Sequence, residues 1–384
     1  MLNIIEQCKQ KQWSVVFACA AQASTHAVDL MALGVQIKEI ALNDSEFDTW
    51  VQTMNPDIVI FDRFMTEEQY AWRVTHAAPH ALKVLNTEDC HSLRSIRQKH
   101  LDEDKDVSSL DIALREAAAI LRSDVTLVIS DYEMRWLEAH FSVPASQMIL
   151  APLCMPMPHG ADKHFTSSRH ISFIGNFKHA PNWDAVLKLR SLWPAIRKRI
   201  GKTEECHIYG AYPPKKATEL SNTATGFLVK GWVDSVEDAF TPYRVFAAPL
   251  QFGAGIKGKL IEATHYSTPS VTTAIGCQGI AEPKDWPGTI AVDDREFIDA
   301  VAQLYNDQHT WEQARDKAKI LSQSQQVNTR RFSEVFDQLE GLHQHLDEHR
   351  KAHVLSRIVN HQTLKSHQYM SQWIEAKTKL AATQ

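Results

Sequence analysis

The sequence predicts an α/β protein built from two Rossmann-like domains, and three observations predict it. Short apolar strands alternate with amphipathic helices from the N-terminus to Ser130. A proline-rich stretch of little periodicity, Leu150 to Ser168, interrupts the pattern, and a second alternating set follows. That set leads into a strand, a glycine loop and a helix within Tyr243 to Glu282. Strands separated by helices of this length form parallel βαβ units. At 384 residues the chain is long enough for two cores.

Composition narrows the class. With 44% hydrophobic and 23% charged residues the chain is ordinary for a globular protein. A net charge of −5 leaves no overall nucleic-acid footprint, so nucleic acid is not an expected partner. The cysteines (Cys8, Cys19, Cys90, Cys154, Cys206, Cys277) are scattered, without the paired spacing of a zinc site or disulfide framework, and fit reduced thiols. No run of about eighteen apolar residues and no signal-peptide pattern is present. A soluble, cytoplasmic protein with no more than peripheral membrane contact is expected.

In chain order, Leu2 to Gln10 has helical spacing and Trp13 to Ala20 is a strand-like run. Ala27 to Leu33 reads as a helix ended by Gly34, Val35 to Leu42 as a strand, and Phe47 to Met54 as a helix. The strand Asp57 to Phe61 ends at Asp62-Arg63, the helix Glu67 to Ala77 follows, and Ala81 to Leu85 is the next strand. At its end lies the polar cluster Asn86-Thr87-Glu88-Asp89-Cys90-His91, where open α/β sheets place ligands. A helix Ser108 to Ser123, a strand Val125 to Ser130 and a helix opened and capped by Asp131 complete this half.

Beyond the linker, His170 to Ile174 is a strand and Gly175-Asn176-Phe177-Lys178-His179 a polar loop. Asn182 is read as the cap of a helix running to about Ile200. His207 to Gly210 and Phe227 to Val233 are strands, each with a glycine at or near its end. Val245 to Leu250 is a buried strand, and Gly253-Ala254-Gly255 opens a helix at once. Such a junction aims unpaired N–H groups and the positive end of the helix dipole at one spot, which suits a phosphate. Lys257 and Lys259 strengthen the reading, since cations in a first helical turn oppose the dipole unless an anion sits there. On a helix running from Gly255, Glu262 returns to the same face roughly 10 Å further on and reaches back toward a sugar diol.

These residues, with Ser267 to Thr273 as the next turn and strand and Gly276 and Gly279 after it, resemble the donor site of retaining glycosyltransferases of the GT-B fold, family 4. The resemblance is close over roughly Ile171 to Glu282 and architectural over the N-terminal half. It implies that the loop (Gly253, Gly255, Ile256, Lys257, Lys259) holds the diphosphate of a nucleoside-diphosphate sugar and that Glu262 binds the ribose hydroxyls. Gly175, Asn176 and Gly210 line the same cleft, and His91 and Asp89 are the candidates for the group facing the sugar. The family commonly has a further Glu eight residues before Glu262, where this chain has Ala254. The activity implied is transfer of a hexose-type sugar without a bound metal or cofactor. The acceptor is open: a glycan, a lipid-linked saccharide or another molecule. A nucleotide-sugar epimerase and a non-catalytic nucleotide-sugar-binding protein are the alternatives, the latter favoured by Ala254.

The domain scheme that follows assigns 1–150 to an N-terminal, acceptor-side domain and 151–169 to a linker. Residues 170–345 form the nucleotide-sugar domain, and 346–384 are helices returning to the first domain through Tyr369, Met370, Trp373 and Ile374. The helix at Leu2 stands where such a domain opens with a strand and glycine loop, so the first strand is expected to be missing. From Arg350 onward six Lys or Arg stand against one acid, Glu375, a face for solvent, an anionic acceptor or a membrane surface.

Overall fold

The computed structural model describes residues 1–21, 27–107, 110–155 and 163–382. The middle of the expected linker, 156–162, and Ser108, the expected start of a helix, lie outside the described residues. The chain divides into two compact units, an N-terminal one of Met1–Ser92, Asp104–Pro152 and Arg330–Gln384 and a C-terminal one of Leu93–Glu103 and Leu153–Thr329.

The first unit begins with α1 (Leu2–Gln10), β1 (Val16–Cys19), β2 (Gln36–Glu39), α2 (Glu46–Met54), β3 (Ile58–Asp62), α3 (Phe64–Ala77) and β4 (Leu82–Asn86). Helix α4 (His91–Gln98) starts here and continues into the second unit; α5 (Asp111–Arg122), β5 (Val125–Val128), α6 (Asp131–Phe141) and β6 (Met148–Leu150) follow. All pairings are parallel. Strands β1 and β2 pair with each other, and the remaining four form a sheet in the order β3-β4-β5-β6. Both β4 and β5 are buried throughout, as unbroken apolar runs in the middle of a covered parallel sheet should be.

Several expectations need correction. Ala27 to Leu33 is no helix; residues 30–34 are hydrogen-bonded turns in which Asp29 Oδ1 takes the Ala32 N–H. Val28 and Met31 are exposed, and a segment this short, with a side chain competing for its amides, does not hold a helix without packing. Ser130, rather than Asp131, caps α6, its hydroxyl accepting from Glu133 N. Helix α4 and strand β6 went unread, the first because its apolar residues are few, the second because it is three residues long.

The second unit runs β7 (Arg169–Ile174), α7 (Ala180–Ile200), β8 (Cys206–Tyr209), α8 (Lys215–Thr218), β9 (Phe227–Gly231), β10 (Tyr243–Ala248) and α9 (Gly258–His265). Then come β11 (Ser270–Thr272), α10 (Ala274–Cys277), β12 (Gly288–Ile290), α11 (Asp294–Asn306) and α12 (Gln308–Gln344), whose residues from Arg330 onward belong to the first unit. Its parallel sheet has the order β12-β11-β10-β7-β8-β9. Phe173 stacks on Phe246 across the two central strands, and Trp193, Phe227, Phe240 and Trp286 fill the core around them.

The C-terminal helices α13 (Leu346–Ala352) and α14 (Val354–Ala382) belong to the N-terminal unit, where α14 packs on α3 and α5. The face of α14 that makes this contact is largely polar. Tyr369, Met370 and Trp373 are exposed, while Ser356 and Ser371 are buried. Arg73 Nη2 donates to Ser371 Oγ (2.9 Å), Lys83 Nζ to Asn360 Oδ1 (3.1 Å) and Asn360 Nδ2 to Arg122 O (3.0 Å). The underlying elements present buried cations and a free carbonyl, and these need polar partners.

Arg350 completes the attachment, gripping buried Asp124 through Nε and Nη2 at 2.8 Å each and the carbonyls of Pro79 and Ala81. Arg350→Met leaves that carboxylate with the Lys83 N–H as its remaining donor. The expected loss is about 2–3 kcal/mol, read as a lower urea midpoint for the N-terminal unit. An unchanged midpoint would show that the pair does not hold the helices.

Candidate functional site

The C-terminal sheet reverses direction between β7 and β10. From β7 the chain moves outward through β8 and β9; from β10 it moves the other way through β11 and β12. Loops leaving adjacent strands in opposite directions open a crevice at the strands' carboxyl ends, where ligands bind in open α/β sheets. The loops here are Gly175–His179 after β7 and Pro249–Lys257 after β10.

The β7 loop is fixed by its own backbone. Gly175 N donates to Tyr209 O, and Gly210, at φ +152°, passes so close to Gly175 that a Cβ would lie 1.9 Å from the Gly175 carbonyl oxygen. Gly210 is therefore required for backbone packing beneath the crevice. Asn176 Oδ1 accepts from Lys178 N (2.9 Å), which leaves its carbonyl to receive Asn182 Nδ2 (3.0 Å). Asn182 does not cap α7; His179 is the N-cap, and Asn182 lies within the first turn. From there its Oδ1 accepts Lys259 Nζ at 2.5 Å, so one side chain joins the β7 loop to α9. A parallel link runs from Gln251 Nε2 to Asp184 Oδ2 (2.6 Å).

The β10 loop departs from the expected helical register. Helix α9 begins at Gly258, with Lys257 as a non-helical N-cap (φ −86°, ψ 86°), because Gly253 (φ +147°) and Gly255 (φ +67°) turn the chain through conformations a helix cannot use. Glu262 consequently stands four residues into the helix, roughly 6 Å along the axis from its start. Lys257 Nζ folds back onto Gly255 O (2.8 Å), Lys259 points to Asn182, and Ile256 is half-buried. Arg97 fixes the loop from the far side: its Nη1 donates to Gly253 O (2.7 Å) and Gln278 Oε1 (2.8 Å), while Glu103 holds its Nε. Nothing local in the sequence marks Arg97, which lies 156 positions from Gly253.

Electrostatics single out Glu262. It is half-buried and makes no hydrogen bond among the described residues. Burial raises its carboxyl above the usual range, with the Lys259 charge opposing. Burial likewise pushes the Lys259 ammonium down to about 8, with Glu262 opposing. Each charge partly offsets what burial does to the other. Among the described residues no group of three or more His, Cys, Asp or Glu is placed to hold a metal ion. A hollow of about 340 Å³ opens beside this site, lined by residues such as Trp183, Asp184, Gln251 and Phe252 rather than by Lys257 or Glu262.

In the N-terminal unit, His91 is buried at the first residue of α4, its Nε2 3.4 Å from Asp89 Oδ1 and its ring edge-on to Phe64. Two carboxylates from other helices hold this turn. Glu116 accepts His91 N (2.8 Å), Ser92 N (2.9 Å) and the Ser92 hydroxyl, and Glu133 accepts Cys90 N (3.0 Å). Glu116 thus caps the first amides of α4, a role no spacing in the sequence reveals. Burial pushes its carboxyl up to about 7 against those hydrogen bonds.

Two Rossmann-like units, with a phosphate-suited helix terminus at a topological switch point, define the GT-B class, and the chain has that fold. Residues 168–307 match the model of the family described as glycosyl transferases group 1, a match that runs from β7 to α11 of the second unit. Among solved structures, sucrose-phosphate synthase from Thermosynechococcus elongatus superposes with a TM-score of 0.64 at 13% identity, over 88% of this chain and 91% of that one. Anabaena HepE in complex with UDP and glucose gives 0.62 at 12% identity, over 91% and 95%. TarM gives 0.61 at 17% identity over 76% of this chain, which spans 57% of TarM's length. Identities this low carry the fold alone. No curated protein matches the chain in sequence.

Glu116 gives a pH test. A carboxyl raised to about 7 on folding contributes stability that is complete below about 4.5 and lost as pH rises through about 7. Glu116→Gln cannot ionise. Its stability relative to the native chain should therefore improve by up to about 3 kcal/mol between pH 5 and pH 8, on top of a pH-independent loss of one acceptor. Urea unfolding of both proteins across that range checks it; parallel pH profiles would show that Glu116 does not titrate there.

Proposed function

We propose that this chain is a retaining glycosyltransferase that moves a hexose-type sugar from a nucleoside-diphosphate sugar to an acceptor hydroxyl. The observation that carries the reading is Glu262, a half-buried carboxylate with a lysine beside it and no donor of its own, close to the start of α9. A ribose diol brings the two O–H donors that this carboxylate lacks. The diphosphate would take N–H groups of the α9 terminus and of the Gly253–Lys257 loop. As the glycosidic bond to the diphosphate breaks and the acceptor oxygen bonds the anomeric carbon, negative charge grows on the leaving phosphate, which takes up the proton that the acceptor hydroxyl gives up. Lys257 and the loop amides stabilise it without need of a bound metal. The group at the sugar is proposed to be His91, oriented by Asp89, a role taken from the family resemblance. HepE was crystallised with UDP and glucose, which makes UDP-sugars the first donors to test.

One observation favours a second reading. Ala254 stands where the family commonly has a carboxylate, and a site lacking it suits binding without turnover. Release of nucleoside diphosphate from donor alone separates the two: slow hydrolysis argues for transfer, and saturable binding with no release argues for the binding protein.

Calorimetric titration with UDP-sugars tests the site. Glu262→Ala is expected to weaken donor binding by about 1–3 kcal/mol with the melting temperature unchanged. A variant that binds donor normally would remove Glu262 from the site.

The two lysines should differ. Lys259→Met removes the cation that keeps Glu262 ionised and frees Asn182, so donor affinity should fall by about tenfold or more. Lys257→Met loses a contact to its own loop carbonyl, and a fall of about threefold is expected. Equal losses, read in the same titration, would contradict this division of roles.

A further inference from the structure

Helix α14 is amphipathic the wrong way round. A surface helix normally turns its apolar stripe to the core and its polar side to water. Here Ser356, Asn360 and Ser371 face the N-terminal unit, and among the described apolar residues Val359 and Ile374 are half-buried while a larger set faces out. Leu355, Ile358, Tyr369, Trp373 and Leu380 are each 49–65% exposed. At ~100° per residue they fall within a sector of about 60°, and over ~1.5 Å per residue they extend for roughly 37 Å.

The charges bordering this stripe have one sign. Lys365 and Lys377 flank it on opposite sides, and Lys377 lies over the Trp373 ring at 5.0 Å. Between Val354 and Ala382 the only acid is Glu375. It lies on the protein side of the helix, accepting from Ser45 Oγ and Lys379 Nζ at 2.6 Å each. The helix's own outward residues therefore combine aliphatic side chains, a Trp and a Tyr with cations and no carboxylate, Asp44 and Glu46 of the N-terminal unit acting on Lys379 near its end. A second copy of the chain is a poor match, because a two-fold contact would set these lysines against one another with no acid between them. Aromatic side chains at the headgroup level, aliphatic ones below and lysines toward anionic headgroups are the pattern of a helix lying in a membrane interface. Among the described residues no helix is long and apolar enough to cross a membrane, so the contact would be peripheral.

We propose that the outward face of α14 docks the chain on an anionic lipid surface. The proposal does not rest on the sugar-transfer reading. Its test is co-sedimentation of the full chain with vesicles of phosphatidylcholine alone and of phosphatidylcholine with phosphatidylglycerol. Binding is expected to the second and not the first, and to weaken as salt rises. The double variant Tyr369→Ser/Trp373→Ser should bind about tenfold more weakly, as should Lys365→Glu/Lys377→Glu at low salt. Both should keep their melting temperatures, since the replaced side chains are exposed. Three results would overturn the proposal: no binding to either vesicle, equal binding to both, or a dimer in solution that these variants break, which would assign the face to a second copy.

Discussion

The parallel pairing of β10 against β7 is the contact on which the C-terminal unit depends. Tyr243 lies opposite Arg169, Val245 opposite Ile171 and Phe246 opposite Ser172, and no other pairing joins the two halves of the sheet. Because a right-handed crossover from each strand must then travel away from the other, the space above their ends stays uncovered by any connection. The crevice is thus a consequence of strand order. What the local sequence adds is chemistry at its rim: glycines that let the β10 loop turn, a short helix aimed at the gap, and an asparagine joining one rim to the other.

The buried charges of the molecule fall into two kinds. Most are answered within the protein. Glu67 pairs with Arg122, Asp124 takes Arg350 and a backbone N–H, and Glu116 and Glu133 accept amides of the turn before α4. Each of these carboxylates joins segments far apart in sequence, so its burial is offset by hydrogen bonds that fix the fold. Glu262 joins nothing. Its one electrostatic neighbour, Lys259, is spent partly on Asn182, and its own oxygens have no donor among the described residues. On the reading proposed above, a ligand with hydroxyl donors supplies the partners that this half-buried carboxylate does not find within the protein.

The legible parts of the sequence are those governed by local periodicity. Val84-Leu85 and Val245-Phe246 read as covered strands because both faces must be apolar, and the glycines of the β10 loop announced a turn that only they can make. The start of α9 was misplaced because glycine spacing shows where a chain can bend, not where its amides begin to pair. Arg97, Asn182 and Glu116 escaped for another reason. Each acts on a partner brought near by the fold, and a polar residue in an ordinary helix carries no mark of that. The outer face of α14 was read backwards because the expectation assumed an apolar interface, whereas Arg73, Lys83 and the Arg122 carbonyl had already fixed the inner surface as polar.

Ala254 bears on what the crevice can do. The rim carries two cations, Lys257 and Lys259, and one anion, Glu262. A second carboxylate at position 254, beside the loop amides, would oppose a diphosphate at close range, and its absence leaves the local field more favourable to that anion. Tighter ground-state binding is not faster transfer, because an interaction equally strong before and during bond breaking leaves the barrier as it was. On the proposed reading, the substitution pulls the site toward retention of the nucleotide. Turnover would then depend on groups that act only as the sugar leaves, and the Lys257 ammonium, turned onto the Gly255 carbonyl, is one such group if the diphosphate draws it away.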